Sequence, residues 1–515
     1  MSAETSSADA NRGGWLRWLA LALVVGAVAL LVMRRGFDDP MRGHADGPPP
    51  SIVFLLVDTL RADYVGAYGF QGEVSPNLDR LAGESILFDN AFSQAPWTKP
   101  SIASLFTSLH PEQHGVVAHR GRFGRREGED RRANVLPRRA ITLAELLRGA
   151  GYETAAFVAN PWIQRGLGFA QGFETFDAKD SGNDVPATIL FEKARAWLAG
   201  RDPARPFFLY IHLMDVHGPY ASPRADYDAL LGSPGLGEPR TLTEKEAAGR
   251  RGYALAGRGF HGDPMTLDAW RTSYAAGVRN FDRHLGRFLD ELAQDGILDE
   301  VVLVVTSDHG EELADHGAWD HGGALYDEQI HVPLLIRPPG GVSGGRRVER
   351  VVSLVDLMPT LGGIAGAKLP RKIAGRDLGP VLRGRRLDGP EAAYASGVKW
   401  RPGVRAVRTR DRKLIRGGDG PTVAFEVDVD PKETRVLEGD AAVTDLSTLL
   451  DHHEEVLRAG PRFAPQARKV GAETQEKLRA LGYLEASPSP GREERATKGH
   501  DVPPPTDSTG QENTK

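Results

Sequence analysis

Four short runs, Ile52–Val57, Phe207–Ile211, Val301–Val305 and Val332–Ile336, are apolar or aromatic throughout, with no polar position alternating between the large ones. A strand with one wet face would alternate; a run that does not must be covered on both faces, as in a parallel sheet whose crossovers lay helices on either side. A weaker run of the same kind spans Ala155–Val158, and helical patterns at Ile141–Arg148 and Tyr274–Leu292 lie between the runs. Strand and helix alternating in this way predict a doubly wound α/β domain.

Beyond about residue 366 the pattern shortens. Runs at Val404–Arg408, Lys413–Ile415 and Thr422–Val427 predict a small antiparallel sheet, and helical stretches follow at Leu446–Leu457 and Glu473–Leu481. A main domain over 51–366 with a smaller C-terminal α+β subdomain over 367–485 fits these patterns. Residues 486–515 are Pro, Ser, Thr and charge, too poor in apolar side chains to bury a core, and read as disordered. At the other end, after a tail over 1–14, the stretch Trp15–Met33 holds a single charge, Arg17, and at about 1.5 Å per residue it is long enough to cross a bilayer. Arg34 and Arg35 follow it without a small-x-small cleavage site, so it reads as an uncleaved single-pass anchor. Arg12 and Arg17 before the span and Arg34, Arg35 and Arg42 after it leave its orientation open. The Pro-rich segment Gly47–Pro50 closes a linker over 34–50.

Charge and cysteine content narrow the function. A net charge of −5 over 515 residues gives no overall field that draws the molecule onto nucleic acid, so no nucleic-acid partner is expected. With 0 Cys, disulfides, thiolate zinc sites and cysteine nucleophiles are excluded together. The segment Arg120–Arg139 holds eight Arg. It has two readings, a surface that steers an anionic substrate or touches lipid headgroups, and a solvated loop.

In an α/β sheet the functional groups gather just past the carboxyl ends of the strands. Asp58 follows the first run directly, in VDTLRADY, and Asp308 and His309 follow another, in VVTSDHGEE. Successive strand side chains point to opposite faces, so Asp308 and His309 can meet one ion only if the chain is already turning, as Gly310 allows. Two carboxylates and an imidazole make a hard oxygen and nitrogen donor set, suited to Zn, Mn or Mg. Any one of these residues alone would more simply cap a helix or pair with a cation; their coincidence at two strand ends predicts a metal site. The third element is PWTKPSIASLFTSLHP, residues 96–111. Pro100 suits the first turn of a helix that continues over Ser101–Leu109, which puts Thr98 immediately before the helix N-terminus, where unpaired amides favour a phosphoryl or sulfuryl group. Beside Asp58, Asp308 and His309, Thr98 is a candidate nucleophile.

These motifs resemble the sulfatase family of the alkaline phosphatase superfamily. VDTLRADY with SPNLDRLA, the Pro-Ser helix start with ASLFTSL and HGV, AGYETA, YIHLMDVHGPY, TSDHGEEL with LYDEQIHVPLLI, and SLVDLMPTL occur in family order, followed by RKLI, DVDPKET and KLRALGYL, over roughly residues 51–485. The resemblance implies an alkaline-phosphatase-like α/β fold, a doubly wound mixed sheet with a smaller C-terminal α+β subdomain, here preceded by one N-terminal transmembrane helix. It also implies one divalent metal ion, Mn, Zn, Mg or Ca. Sulfatases of this family carry Cys or Ser, oxidised to formylglycine, in a C/S-x-P-x-R motif; this chain has Thr98 and Ile102 at those positions. Oxidising a Thr hydroxyl gives a ketone, so no formylglycine is expected. The family's Gly-Lys pair falls at Val158 and Ala159, and the Lys after its Asp-His block is matched by His321, which predicts a less cationic anion site.

A threonine nucleophile resembles instead the phosphoethanolamine and glycerol-phosphate transferases of the superfamily. Carried over residue by residue, Asp58, Thr98, Asp308 and His309 bind the metal, Thr98 attacks to form a phosphothreonine, and His217 and His321 contact the substrate's anionic group or protonate the leaving oxygen. His110, His114, His119, His212 and His316 read as structural or loop residues, with a second metal site on Asp215 and His217, near His212, as an alternative. The expectation is a membrane-anchored, metal-dependent hydrolase of sulfuric or phosphoric esters, phosphoester favoured, acting on an anionic ester of lipid or glycan type. Its catalytic domain is expected in a periplasm or outside the cell. A phospho-headgroup transferase and a catalytically dead binding module are the alternatives, and the oligomeric state is left open.

Overall fold

The computed structural model describes residues 48–117, 132–179, 181–182, 185–249, 260–399, 401–418, 420–437 and 440–480, together with Met41. The anchor expected at 15–33, the tail at 486–515 and residues 120–131 of the Arg-rich segment lie outside the described residues, among which no helix is long and apolar enough to cross a membrane.

Eight strands form the central sheet: β1 (Ser51–Val57), β2 (Ile86–Phe92), β3 (Glu153–Val158), β4 (Thr175–Asp177), β5 (Phe207–Leu213), β6 (Val301–Thr306), β7 (Leu334–Arg337) and β8 (Arg346–Ser353). Their order across the sheet is β8-β2-β7-β6-β1-β5-β3-β4. The central β1 runs parallel to both β5 and β6. Only β7 is antiparallel to its neighbours, which makes the sheet mixed. The five apolar runs all become strands. The run at Val332–Ile336 starts later than its apolar character suggests, because Pro333 has no amide for a ladder; its carbonyl accepts from Thr306 Oγ1 at 2.7 Å instead. Strands β2, β4 and β8 are additional to the expected set. Asp89 and Asn90 interrupt β2, while β4 and β8 are edge strands, β4 half-buried and β8 charged and exposed or half-buried until its buried end at Val351–Ser353, so none shows an unbroken apolar run.

Every residue of β1 from Ile52 to Val57 is buried, so both faces of the sheet are covered. One group of mutually packed helices comprises Pro76–Ala82, Ala187–Gly200, Arg224–Leu230 and Leu267–Gln294; another comprises Thr98–Thr107, Leu143–Gly149 and Leu357–Ile364. Helix Leu267–Gln294 contains the predicted Tyr274–Leu292 stretch and turns Trp270, Tyr274, Phe281, Leu285, Phe288 and Leu292 inward, the stripe of an amphipathic helix.

A smaller antiparallel sheet follows, β9 (Ala393–Ala395), β10 (Arg405–Arg408), β11 (Arg412–Arg416) and β12 (Val423–Glu426), in chain order. Helix Asp440–Ala459 packs on it through Leu446 and Leu450. A second apolar cluster joins Ala406, Ile415 and Phe425 of this sheet to Phe92, Ile330 and Val351 of the large domain. Beside it lies a buried ionic group: Asp327 meets Arg408 at 3.1 Å and Lys413 at 2.7 Å, and Lys413 meets Glu433 at 2.8 Å. Part of the Arg-rich segment is strand rather than loop, since Arg132–Val135 pairs antiparallel with Gln466–Lys469.

Candidate active site

The loops that leave β1 and β6 meet the start of helix Thr98–Thr107. The Asp58 amide still bonds the Leu213 carbonyl at 2.9 Å, so Asp58 emerges level with the end of β5. Two serines shape the turn after β6. Ser307 Oγ donates to the His309 carbonyl at 2.6 Å and accepts from the Leu60 amide at 3.0 Å, and Ser101 Oγ donates to the Asp308 carbonyl at 2.7 Å. The chain is thus already turning, and Asp308 and His309 face one spot. Gly310 is needed there by close approach, because a Cβ would run into the Glu328 carbonyl. Thr98 is the first residue of its helix rather than the residue before it; the extended Trp97 is the cap.

The donor atoms of Asp58, Asp308 and His309 lie within 4.8 Å of one another. His309 Nε2 is 3.2 Å from Thr98 Oγ1, 3.3 Å from Asp308 Oδ2 and 3.5 Å from Asp58 Oδ1. The other ring nitrogen, Nδ1, is 2.8 Å from the Gly310 carbonyl, which can only accept, so Nδ1 carries the proton and Nε2 presents a lone pair. Asp58 Oδ2 is occupied: Asn160 Nδ2 donates to it at 2.6 Å and His212 Nε2 at 3.0 Å. The partners are themselves fixed, His212 by Tyr210 Oη at 3.1 Å from its Nδ1, and Asn160 by the Trp162 amide at 2.8 Å from its Oδ1. What remains is Asp58 Oδ1 and both oxygens of Asp308, buried without a hydrogen bond. Three such oxygens and an imidazole lone pair around one point fit a hard divalent cation.

The electrostatics agree. Burial by itself raises the Asp58 carboxyl, but the His212 hydrogen bond, with the His217 and His309 imidazoles facing the group, outweighs it and holds the carboxyl below the usual range. Burial and the nearby Asp58 charge push Asp308 well above that range. In the cation-free protein the two carboxylates are therefore held in opposite protonation states. Burial, followed by the charge of His321, keeps His309 neutral.

His217 and His321 close the site. His217 Nδ1 donates to the Gly218 carbonyl at 2.6 Å, and burial lowers its pKa, so it is neutral with Nε2 as an acceptor. His321 Nδ1 lies 3.1 Å from Glu311 Oε1 and 3.0 Å from Asp320 Oδ1. Burial opposes its protonation, yet the charges of Asp320 and Glu311 prevail and raise it to about 10, so the ring is an imidazolium at neutral pH. Its centroid is 4.4 Å from that of His309 and 5.1 Å from that of His217. All six residues expected at the site, Asp58, Thr98, His217, Asp308, His309 and His321, are brought together.

Two lysines lie near the site: Lys99 Nζ is 5.6 Å from the Trp97 ring and 4.9 Å from the Trp162 ring, and Lys399 Nζ is 5.9 Å from the Trp97 ring. Lys99 is fully buried, its Nζ makes no hydrogen bond, and burial with the Lys399 charge lowers it to about 7. His212 is not a bystander, since it bonds Asp58. Asp215 Oδ1 accepts from the Ala187 amide at 3.0 Å, at the start of helix Ala187–Gly200, and among the described residues no cluster of three ligating groups includes Asp215. His110 stacks edge-on against His453 with centroids 4.5 Å apart, His114 bonds Ser104 Oγ at 3.0 Å and His316 pairs with Glu328 at 3.1 Å, as structural residues; His119 lies outside the described residues. Ile102, at the family's Arg position, is in the core. Asn160 was legible in principle, standing just past β3 where functional groups gather.

A family model described as Sulfatase matches residues 50–367, and one described as N-sulphoglucosamine sulphohydrolase, C-terminal, matches residues 314–459. The chain is 25% identical over 444 residues to an arylsulfatase of Clostridium perfringens, covering 75% of this chain and 89% of that protein. It is 26% identical over 412 residues to the multifunctional alkaline phosphatase superfamily protein PehA of Trinickia caryophylli, covering 64% of this chain and 77% of that protein. The solved structure of a phosphonate monoester hydrolase of Agrobacterium radiobacter superposes with a TM-score of 0.63 at 22% identity, covering 80% of this chain and 95% of that one.

Proposed function

Because the chain belongs to the sulfatase family of the alkaline phosphatase superfamily, we propose that it hydrolyses sulfuric or phosphoric esters with Thr98 as nucleophile, phosphoesters being favoured. The observation that carries this reading is the meeting of Thr98 Oγ1 and His309 Nε2 at 3.2 Å beside the orphaned oxygens of Asp58 and Asp308. Asp58, Thr98, Asp308 and His309 would hold one divalent ion, Mn, Zn, Mg or Ca, which when bound lowers the hydroxyl pKa of Thr98 and offsets the charge on the ester oxygens.

The chain's own groups supply the rest. First-turn amides of helix Thr98–Thr107 favour the anionic group at Thr98. Thr98 Oγ1, its hydroxyl proton released to solvent, forms the bond to phosphorus as the bond to the leaving alcohol breaks, and His321, already protonated, gives a proton to the departing oxygen. Glu311 and Asp320 then favour its return to the charged form. Water releases the phosphothreonine, and neutral His217 accepts its proton at Nε2. The hydroxyl of Thr98 is retained, with no formylglycine. An anchor at residues 15–33 would hold the domain at a membrane surface, in a periplasm or outside the cell, where the substrate is an anionic ester of lipid or glycan type.

The test loads the full chain with Mn, Zn, Mg or Ca in turn and compares turnover of matched aryl sulfate, phosphate monoester and phosphodiester, with Thr98→Ala as the blank. Phosphate esters leading, with a dead blank, is the expected result. A leading sulfate ester would overturn the phosphoester preference, an active blank would overturn the nucleophile, and no turnover with any metal would leave a binding module.

A further inference from the structure

Lys99 places an amine where lysine side chains are rarely found. Burying one without hydrogen-bond partners is among the most costly placements for a side chain, and Lys99 Nζ is fully buried with none. The faces of Trp97 and Trp162 attract a cation but accept no conventional hydrogen bond from it. Its charged neighbour is a second cation, Lys399, on the same Trp97 ring. Asp320, the carboxylate acting on Lys399, is shared with His321 at 3.0 Å.

These lysines border the catalytic residues. Lys99 follows Thr98, and Trp162 holds the Asn160 amide that bonds Asp58. Lys399 packs along Gly322, next to His321, where a Cβ would meet Lys399 Cβ at 3.2 Å and Trp97 Cβ at 3.5 Å. The Trp97 ring that both lysines approach is held by its Nε1, which donates to the Gly397 carbonyl at 2.8 Å. Lys399 is only partly buried, so the pair runs from the interior outward.

We infer that Lys99 and Lys399 form a second anion subsite, so that the preferred ester carries a further anionic group, a carboxylate, sulfate or phosphate, on its alcohol portion. An anion between the two ammonium groups would supply acceptors to Lys99 and screen the repulsion between them. This assignment rests on the ester-hydrolase reading, as a statement of which esters the site selects.

The experiment uses the full chain and two readouts. In the first, aryl phosphates and sulfates bear either a carboxylate or the matched neutral carboxamide on arms of graded length. At the fitting length the carboxylate ester is expected to lead in kcat/KM by about tenfold or more, the worth of a charge-assisted hydrogen bond. Lys99→Met and Lys399→Met, which keep side-chain length, should each bring that ratio toward one. Equal turnover of the pair by the wild-type chain at every arm length overturns the subsite. In the second, calorimetry compares aliphatic disulfonates of graded length with monosulfonates. Tighter binding of a disulfonate, lost in Lys99→Met, with no ester turned over, keeps the subsite and overturns the hydrolase reading; equal binding overturns the subsite. Should Lys99→Met fail to fold, the wild-type comparison and Lys399→Met decide.

Discussion

The buried ionic group between the large domain and the small sheet allows a quantitative test. Lys413 has no exposed surface and bridges Asp327 at 2.7 Å and Glu433 at 2.8 Å. Lys413→Met removes the charge and keeps much of the volume. Asp327 still has Arg408 at 3.1 Å, but Glu433, whose second oxygen accepts from the Asp327 amide at 2.5 Å, loses its cation. Breaking a buried pair from one side costs about 3–5 kcal/mol. The pH dependence fixes the mechanism. Burial raises Glu433 to about 7, against the opposing pull of Lys413. A carboxyl raised above its unfolded value keeps its proton in the folded state, so stability falls as pH rises from the unfolded pKa through the folded one. Without Lys413 that folded value moves higher and the loss extends further up in pH. Urea unfolding should therefore show the full penalty near about pH 8.5 and a clearly smaller one near about pH 6, where Glu433 is protonated. Glu433→Gln in the Lys413→Met background should recover more than half of the loss. A penalty below about 1 kcal/mol, or one equal at the two pH values, would refute this account.

Three further outcomes are expected. Asp308→Asn should lower bound metal per chain by elemental analysis, and unchanged content would place the ion elsewhere. Asn160→Ala and His212→Phe each remove a donor from Asp58 Oδ2 and should weaken metal binding by about 10–100-fold in a competition titration, since groups behind a ligand orient it; unaltered affinity would mean Asp58 is held by other contacts. Burial lowers His110 to about 4, and its stability contribution is present above the unfolded value near 6.5 and lost as pH falls toward 4. His110→Phe should reduce the acid loss of urea stability in that window by about 3 kcal/mol, and an unchanged pH profile would assign the loss to other groups.

What could be read from the chain follows from how each feature is encoded. Unbroken apolar runs mark β1, β3, β5, β6 and β7 because a polar residue in a strand covered on both faces is costly unless it finds a partner, as His212 does near the end of β5. Strands β4 and β8 lie at sheet edges and tolerate charge, β2 is interrupted by Asp89 and Asn90, and β9, Ala393–Ala395, is too short to show a period. The strand-end rule located Asp58, Asp308 and His309, the helix start at Pro100 pointed to Thr98, and the resemblance added His217 and His321. Neither revealed His212 or Lys99. His212 lies within β5, and its role depends on the register that sets Leu56 beside it; Lys99 is notable only for its burial between two rings distant in sequence.

The strand order also bears on how the protein is made. β1 leaves the ribosome early, but both of its partners come much later, β5 from residue 207 and β6 from residue 301. Until Thr306 has emerged, a wholly apolar strand has at least one open edge, a state prone to aggregation and slow to resolve because the closing contacts are so distant in sequence. Chain interrupted before β6 should therefore accumulate on chaperones or be degraded, and the carboxylate of Asp58 can meet His309 only after the chain through β6 has emerged.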